Sequence, residues 1–257
     1  MGQSTNLELK TVDKALSLLL EFSSSTPLLG VRELAGRVGL APSVVQRMVA
    51  TMQQRGFVQQ CPQTRKYRLG VRLWELGVLF REQFQLNDAV QTLLQATANG
   101  TGETVYLNML DAEQAVCVQI AEGPESVKLT IRLGERTPLH LGSRGRAMLA
   151  HLPPERRAAL LDAVVDGWSP AEAALRRRAL EDGLITICRD GYCVSRGERL
   201  TDVVGISVPL FDRTDRVFAS VTVGGPSARM TEDKVAECVP RILALAREIQ
   251  SHFHKFG

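Results

Sequence analysis

Apolar residues recur at helical spacing in residues 9–22, at Val12, Ala15, Leu16, Leu19 and Leu20, which predicts a helix with that face inward. The run Ser23-Ser-Ser-Thr-Pro27 ends it. A second short helix follows over 29–38, with Val31, Leu34, Ala35 and Val38 on one side, and Gly39-Leu40 supplies a tight turn. A third helix spans 41–55. Its inward stripe is Val45, Met48, Val49 and Met52, which leaves Ser43, Val44, Gln46 and Arg47 on the outer face near its start. Pro42 suits a first helical turn, where its missing N–H has no intrahelical partner to lose, and Gly56 suits the position just past the end. Residues 57–60 and 66–69 then read as two strands of a hairpin around a turn ending in Arg65. Three short helices and a hairpin predict a winged helix-turn-helix.

Beyond it, residues 70–84 place Val71, Leu73, Trp74, Leu76, Leu79, Phe80 and Phe84 on more than one side of a helix. Such a helix packs either against a partner chain as well as its own domain, or wholly within its own domain. Helical spacing recurs at 86–98, 144–151, 154–165, 171–188 and from 232 to about 252. Strand-like runs fall at 104–110, 115–121, 127–132, 192–195, 203–211 and 217–223. Strands grouped around helices predict an α+β fold with an antiparallel sheet covered on one or both faces. The expected organisation is a DNA-binding domain over 1–69, a linker helix over 70–85 and a second, larger domain over 86–257. No internal repeat is found.

Charge sharpens this division. Residues 1–69 hold nine Lys and Arg against four Asp and Glu, a net of +5, whereas 70–257 hold 22 against 24, a net of −2. Between Arg32 and Arg68 there are seven basic residues and one acid, Glu33. A basic module on a slightly acidic body is the layout of a nucleic-acid reader with a second function attached. The chemistry fits double-stranded DNA. The outer residues at the start of the third helix, Pro42, Ser43, Val44, Gln46 and Arg47, enter the major groove, where Arg47 suits guanine and Gln46 adenine. Arg32, Arg65, Lys66 and Arg68 meet phosphates or the minor groove. The alternative is a winged module used for ligand binding or protein interaction without sequence-specific DNA binding.

Other classes find little support. No apolar run approaches the roughly 18 residues a membrane span requires, and no signal peptide is discernible, so a cytoplasmic protein without membrane partners is expected. The five cysteines are odd in number and irregularly spaced, and the four histidines lack a ligand set, so neither a metal nor another cofactor is expected. His140 with Ser143, and Ser195 with Asp202, invite a hydrolase reading, but no G-x-S-x-G elbow presents a nucleophile. Cys117 lies in an apolar strand and reads as core. The glycine-flanked Gly142-Ser-Arg-Gly145 lacks the lysine and spacing of a phosphate loop. The expectation is a protein that is not an enzyme.

The chain resembles the IclR family of bacterial transcriptional regulators over essentially its whole length. The resemblance rests on Thr11-Val-Asp-Lys-Ala-Leu16, Gly39-Leu-Ala-Pro-Ser-Val-Val-Gln-Arg47, Tyr67-Arg-Leu-Gly70, Leu139-His-Leu-Gly-Ser-Arg-Gly-Arg-Ala147, Asp190-Gly-Tyr-Cys-Val-Ser-Arg-Gly-Glu198, Gly205-Ile-Ser-Val-Pro-Leu-Phe-Asp212 and Val221-Thr-Val-Gly-Gly-Pro226, in this order. It implies a GAF-like effector domain, a homodimer or dimer of dimers, and repression or activation of a catabolic operon in response to a small carboxylate-bearing or aromatic metabolite. Carried over position by position, it implies an effector pocket of Ser143, Arg144, Gly145, Ser195, Gly205, Thr222 and Gly224. The sequence also departs from the family pattern. Arg144 and Arg146 stand in a loop that usually reads small-small-Gly-Lys, and Val44 and Gln46 replace a common Thr and His. Three placements of Arg144 are open: pairing an anionic effector, filling the pocket, or facing solvent.

Overall fold

The structure, a computed structural model, describes residues 9–84 and 86–256. The expected linker helix and second domain therefore each end at a residue outside this set, Gln85 and Gly257. Contacts divide the chain into two compact units, Met1–Gln83 and Phe84–Gly257.

In the first unit, α1 (Lys10–Leu20), α2 (Val31–Val38) and α3 (Pro42–Gln54) precede β1 (Val58–Gln60), β2 (Tyr67–Leu69) and α4 (Val71–Gln83). Local chemistry sets the ends. The Glu33 carboxylate accepts from the Gly30 N–H at 2.6 Å, satisfying a donor at the start of α2. Gly39 (φ +65°) stops that helix in the left-handed region where a side chain would be strained. Strands β1 and β2 pair antiparallel with Gln59 opposite Arg68, and Leu29 bridges to Tyr67 from the α2 side. The core is Leu18, Leu29, Leu34, Val45, Val49 and Tyr67, so the inward stripe of α3 is the one its spacing predicts. The face of α1 is not. Leu18 is the buried residue, while Val12, Leu16 and Leu20 are exposed. This helix is apolar on two sides, and the shorter side, through Ala15, Leu18 and Leu19, meets the other helices. Helix α4 has no buried residue at all, and Trp74 is 71% exposed.

The second unit runs α5 (Asp88–Thr101), β3 (Thr104–Asp111), β4 (Gln114–Ala121), β5 (Arg136–Pro138), α6 (Gly142–Leu149), α7 (Pro154–Val165), α8 (Pro170–Asp190), β6 (Cys193–Arg196), β7 (Val203–Phe211), β8 (Val217–Pro226) and α9 (Glu232–Phe256). The six strands form one antiparallel sheet in the order β5-β4-β3-β8-β7-β6. Period-two alternation sorts its central strands into two unlike faces. Val105, Leu107, Val204, Ile206, Val208, Ala219, Val221 and Val223 pack against α5 and α9. The residues between them, Tyr106, Asn108, Gly205, Ser207, Ser220, Thr222 and Gly224, are small or polar and face the side covered by α6. The expected strand over 127–132 is not formed. Leu129 and Ile131 alternate inward against Tyr106 and Cys117, which imitates a strand pattern, but the strand that pairs with the outer edge of β4 is β5. Among the described residues no helix is long and apolar enough to cross a membrane.

The corrected face of α1 is testable by urea unfolding of the full chain. Leu18→Ala is expected to cost about 2–5 kcal/mol through a buried cavity. Leu20→Ala, on the exposed side, is expected to change stability by less than about 0.5 kcal/mol.

Candidate DNA-reading face and effector cavity

Pro42, Ser43, Val44, Gln46 and Arg47 are all exposed on the first half of α3, because Val45 and Val49 hold its opposite side in the core. Arg32 is exposed on the first turn of α2. Arg65 sits at the hairpin tip with φ +58°. Arg32, Gln46, Arg65 and Lys66 line one concavity with Gln60 and Thr64, while Val44 and Arg47 line a second one against α1 with Thr11 and Thr51. Among the described residues no carboxylate pairs with Arg32, Arg47 or Arg65. Lys66 and Arg68, expected to meet phosphates or the minor groove, have protein partners in this structure. Lys66 Nζ lies 2.9 Å from Glu33 Oε1, and Arg68 donates to Gln59 Oε1 at 2.9 and 3.2 Å. Both contacts are exposed, where an ion pair is worth about 0–1 kcal/mol, so a phosphate competes with them at little cost. Gln46 Nε2 donates to the Tyr67 hydroxyl at 3.4 Å, which ties the reading helix to the wing.

In the second unit a small cavity opens at the N-terminus of α6, over the polar face of the sheet. Its volume is about 30 Å³, room for one or two waters. Ser143 and Arg144 of α6, Ser195 of β6, Gly205 of β7, Tyr106 of β3 and Arg199 line it. A relay of buried hydrogen bonds leads to it. Asn108 Nδ2 donates to Thr222 Oγ1 at 3.2 Å, Thr222 and Ser207 hydroxyls are 2.8 Å apart, and Ser207 donates to Ser143 Oγ at 2.8 Å. The Ser143 N–H donates to Ser195 Oγ at 2.9 Å, and Ser220 donates to the Arg144 carbonyl at 3.0 Å. Among the described residues the Ser143 proton has no acceptor, so the relay delivers a hydroxyl donor to the cavity.

Arg144 dominates the electrostatics. It is 3% exposed, so of its three placements the solvent-facing one is excluded. Its Nη2 donates to Glu135 Oε1 at 2.8 Å and to Thr137 Oγ1, and its guanidinium stands 5.9 Å from the Tyr106 ring centroid. Its Nε and Nη1 are buried without a hydrogen-bond partner among the described residues. Arg199 Nη1 reaches the same Glu135 oxygen at 2.8 Å. Partial burial pushes Glu135 up, but the Arg144 hydrogen bond and the charges of Arg199 and Arg144 outweigh it and hold the carboxyl below its ordinary value. Burial pushes the Tyr106 hydroxyl up to about 12 and the Cys117 thiol up to about 12, so both stay protonated at neutral pH. Among the described residues neither Ser143 nor Ser195 is hydrogen-bonded to a histidine. Among the described residues no group of three or more His, Cys, Asp or Glu is placed to hold a metal ion.

Residues 81–251 match the family model for the bacterial transcriptional regulator IclR C-terminal domain, and residues 11–62 match that for the IclR helix-turn-helix domain. The chain belongs to the IclR family. Similar regulators span nearly its whole length. BhcR of Paracoccus denitrificans is 27% identical over 97% of this chain and 89% of its own, and XynR of Escherichia coli 26% over 94% and 97%. Among solved structures, an IclR-family regulator from Brucella abortus superimposes with a TM-score of 0.75 at 25% identity, covering 96% of this chain and 94% of that one. The Thermotoga maritima IclR gives 0.71 at 25%, covering 96% and 99%.

Of the pocket residues carried over from the IclR family, Ser143, Arg144, Ser195 and Gly205 line the cavity. The other three do not. Gly145 is a packing residue, since a Cβ there would stand 2.6 Å from the Leu139 carbonyl oxygen. Gly224 makes room for Leu129 and Tyr106, which a Cβ would meet at 2.8 and 3.3 Å. Thr222 is fully buried within the relay. Gly205 has a packing role as well: a Cβ would come 2.6 Å from Ser143 Oγ. Sequence reasoning missed Tyr106, Glu135 and Arg199. Nothing local marks them, because three separate segments bring them together.

Two outcomes follow from this geometry. Thr222→Val removes a partner from both Asn108 and Ser207 in a dry interior, and is expected to cost about 1–3 kcal/mol in urea unfolding while leaving DNA affinity intact. Glu135 is the second. A carboxyl held below its ordinary 4.5 stabilises the fold above that value and loses the contribution as pH falls through its folded-state pKa. The stability difference between parent and Glu135→Gln, measured by unfolding from pH 7 downwards, is therefore expected to be constant above pH ~5 and to shrink below it.

Proposed function

We propose that this IclR-family regulator reads operator DNA through Pro42, Ser43, Val44, Gln46 and Arg47 of α3, with Arg32, Arg65, Lys66 and Arg68 on the backbone or minor groove, and that a small carboxylate-bearing or aromatic metabolite entering at Ser143, Arg144, Ser195 and Gly205 controls it. The observation that carries the DNA reading is the set of arginines Arg32, Arg47 and Arg65, without carboxylate partners among the described residues, beside the exposed start of α3. Cations without carboxylate partners keep their full charge for phosphates and guanine edges. The observation that favours an anionic effector is Arg144, a buried guanidinium that lines the cavity and keeps two donors, Nε and Nη1, without a partner among the described residues.

The proposal extends to assembly and setting. A homodimer or dimer of dimers is supported by α4, whose Val71, Trp74 and Leu79 are exposed on a helix with no buried residue. Two reading helices on one assembly engage two half-sites and multiply affinity. A cytoplasmic regulator of a catabolic operon, without catalytic activity of its own, is the setting that fits these parts.

The test begins with selection of genomic fragments by the purified protein, followed by Arg47→Ala on the site recovered. The variant is expected to bind that site about 1–3 kcal/mol more weakly with unchanged folding. Log affinity is expected to fall steeply with log salt, as phosphate contacts release counterions. Equal operator affinity in parent and variant would remove α3 as the reader, and a flat salt dependence would favour a protein-interaction module.

A further inference from the structure

The rim of the effector cavity is fastened by charge. The connection 197–202, between β6 and β7, carries Glu198, Arg199 and Leu200, all of which line the cavity. Two ion pairs of opposite polarity fasten it: Glu198 to Arg146 of α6, and Arg199 to Glu135 on the connection between β4 and β5. Glu135 does double duty, since the oxygen that holds Arg199 also accepts from Arg144 at 2.8 Å. One carboxylate oxygen thus bridges a buried guanidinium and a half-buried one. It does so beside a helix N-terminus, a Ser143 hydroxyl with a proton to give, and two further Arg144 donors without a partner. The three arginines meet only two carboxylates here, leaving one positive charge in excess.

We infer that Glu135 is a built-in stand-in for the effector's carboxylate, and that a small monocarboxylate binds by exchanging with it on Arg144 and Arg199. This rests on the reading of the cavity as the effector site, and adds how that site is held shut and which ligand charge opens it. In the closed form Glu135 satisfies part of Arg144 and draws the 197–202 connection across a space fit for a carboxylate head and little more. Once Glu135 lets go, Arg144 turns its Nε and Nη1, shut away and unpartnered in this form, onto the ligand carboxylate, so the ligand satisfies more donors than the side chain it displaces. Glu135 then turns to solvent, for which its partial exposure already suits it, and the ligand becomes the link between Arg144 and Arg199. The exchange swaps one negative charge for another, and so selects a monoanion over a neutral isostere of the same shape. Removing the competitor must therefore strengthen binding, the reverse of what deleting a ligand contact would do.

The test uses the full-length protein with sodium acetate as probe, acetamide as the neutral isostere and sodium chloride at matched ionic strength as control. Binding is followed by NMR titration, and amide hydrogen exchange is read over 197–202. Glu135→Gln is expected to bind acetate at least tenfold more tightly than the parent, with no response to acetamide in either. Its 197–202 amides are expected to exchange faster than the parent's without probe and to regain protection with acetate. Glu135→Asp, which keeps the charge on a shorter arm, is expected to fall between the two and serves if the glutamine variant folds poorly. Equal acetate affinity in the parent and both variants would overturn the exchange while leaving the effector site in place. Absence of acetate binding in all three would overturn the effector-site reading along with it.

Discussion

The second unit is organised around the problem of keeping one guanidinium out of water. A buried arginine is costly unless its charge is paired and its donors are met, and Arg144 is met only in part. Much of the surrounding design follows from this. The polar face of the sheet supplies Tyr106 beneath it, Thr137 and Glu135 lie against one edge, and Ser220 reaches back to its carbonyl. Gly205 is small enough to let Ser143 approach, and the opposite, aliphatic face of the same strands carries the hydrophobic burial that makes such a polar layer affordable. Replacing a buried ion pair by apolar residues is often neutral or stabilising, so the presence of this cluster at a cavity fits a use in binding better than one in stability.

The first unit handles charge in the opposite way. Arg32, Arg47 and Arg65 are left on the surface without carboxylates among the described residues, where hydration makes them cheap to keep. The single acid among them, Glu33, has local work: it caps α2 through the Gly30 N–H and tethers Lys66 of the wing. Those contacts hold its carboxyl below the ordinary carboxylate value, with the Gly30 hydrogen bond the largest cause and the Lys66 hydrogen bond next. The one acidic residue between Arg32 and Arg68 thus fixes helix start and wing while leaving Arg32, Arg47 and Arg65 uncompensated.

What the sequence reveals depends on the range of the interaction that decides each feature. The inward stripe of α3, its proline start and the glycine turns around it are settled within a few residues, and they fall where spacing and turn chemistry put them. The long strands β3, β4, β7 and β8 are legible for the same reason, as period-two patterns over eight to ten residues. The face of α1 is not, because apolar residues lie on two sides of it and only the packing of other helices chooses between them. Residues 127–132 mislead because burial of Leu129 and Ile131 needs alternation, not strand pairing, and β5 is too short to carry a pattern.

The candidate site divides along the same line. Ser143, Arg144, Ser195 and Gly205, which a family pattern carries, line the cavity, whereas Gly145, Thr222 and Gly224, drawn from the same pattern, pack outside its lining. Glu135 and Arg199 escape any pattern. Their significance is a single shared oxygen atom between residues 64 positions apart, with Arg144 as the third party. Such a contact is set by topology: β5 and β6 are the two edge strands of the sheet, and α6 is the element placed to receive a charge from the connections beside both. A departure from the family pattern at Arg144 therefore has to be matched by a carboxylate on a distant segment. A chain with a small residue at that position places a different demand on residue 135, and a glutamate there would lack the buried guanidinium that gives it a role in this one.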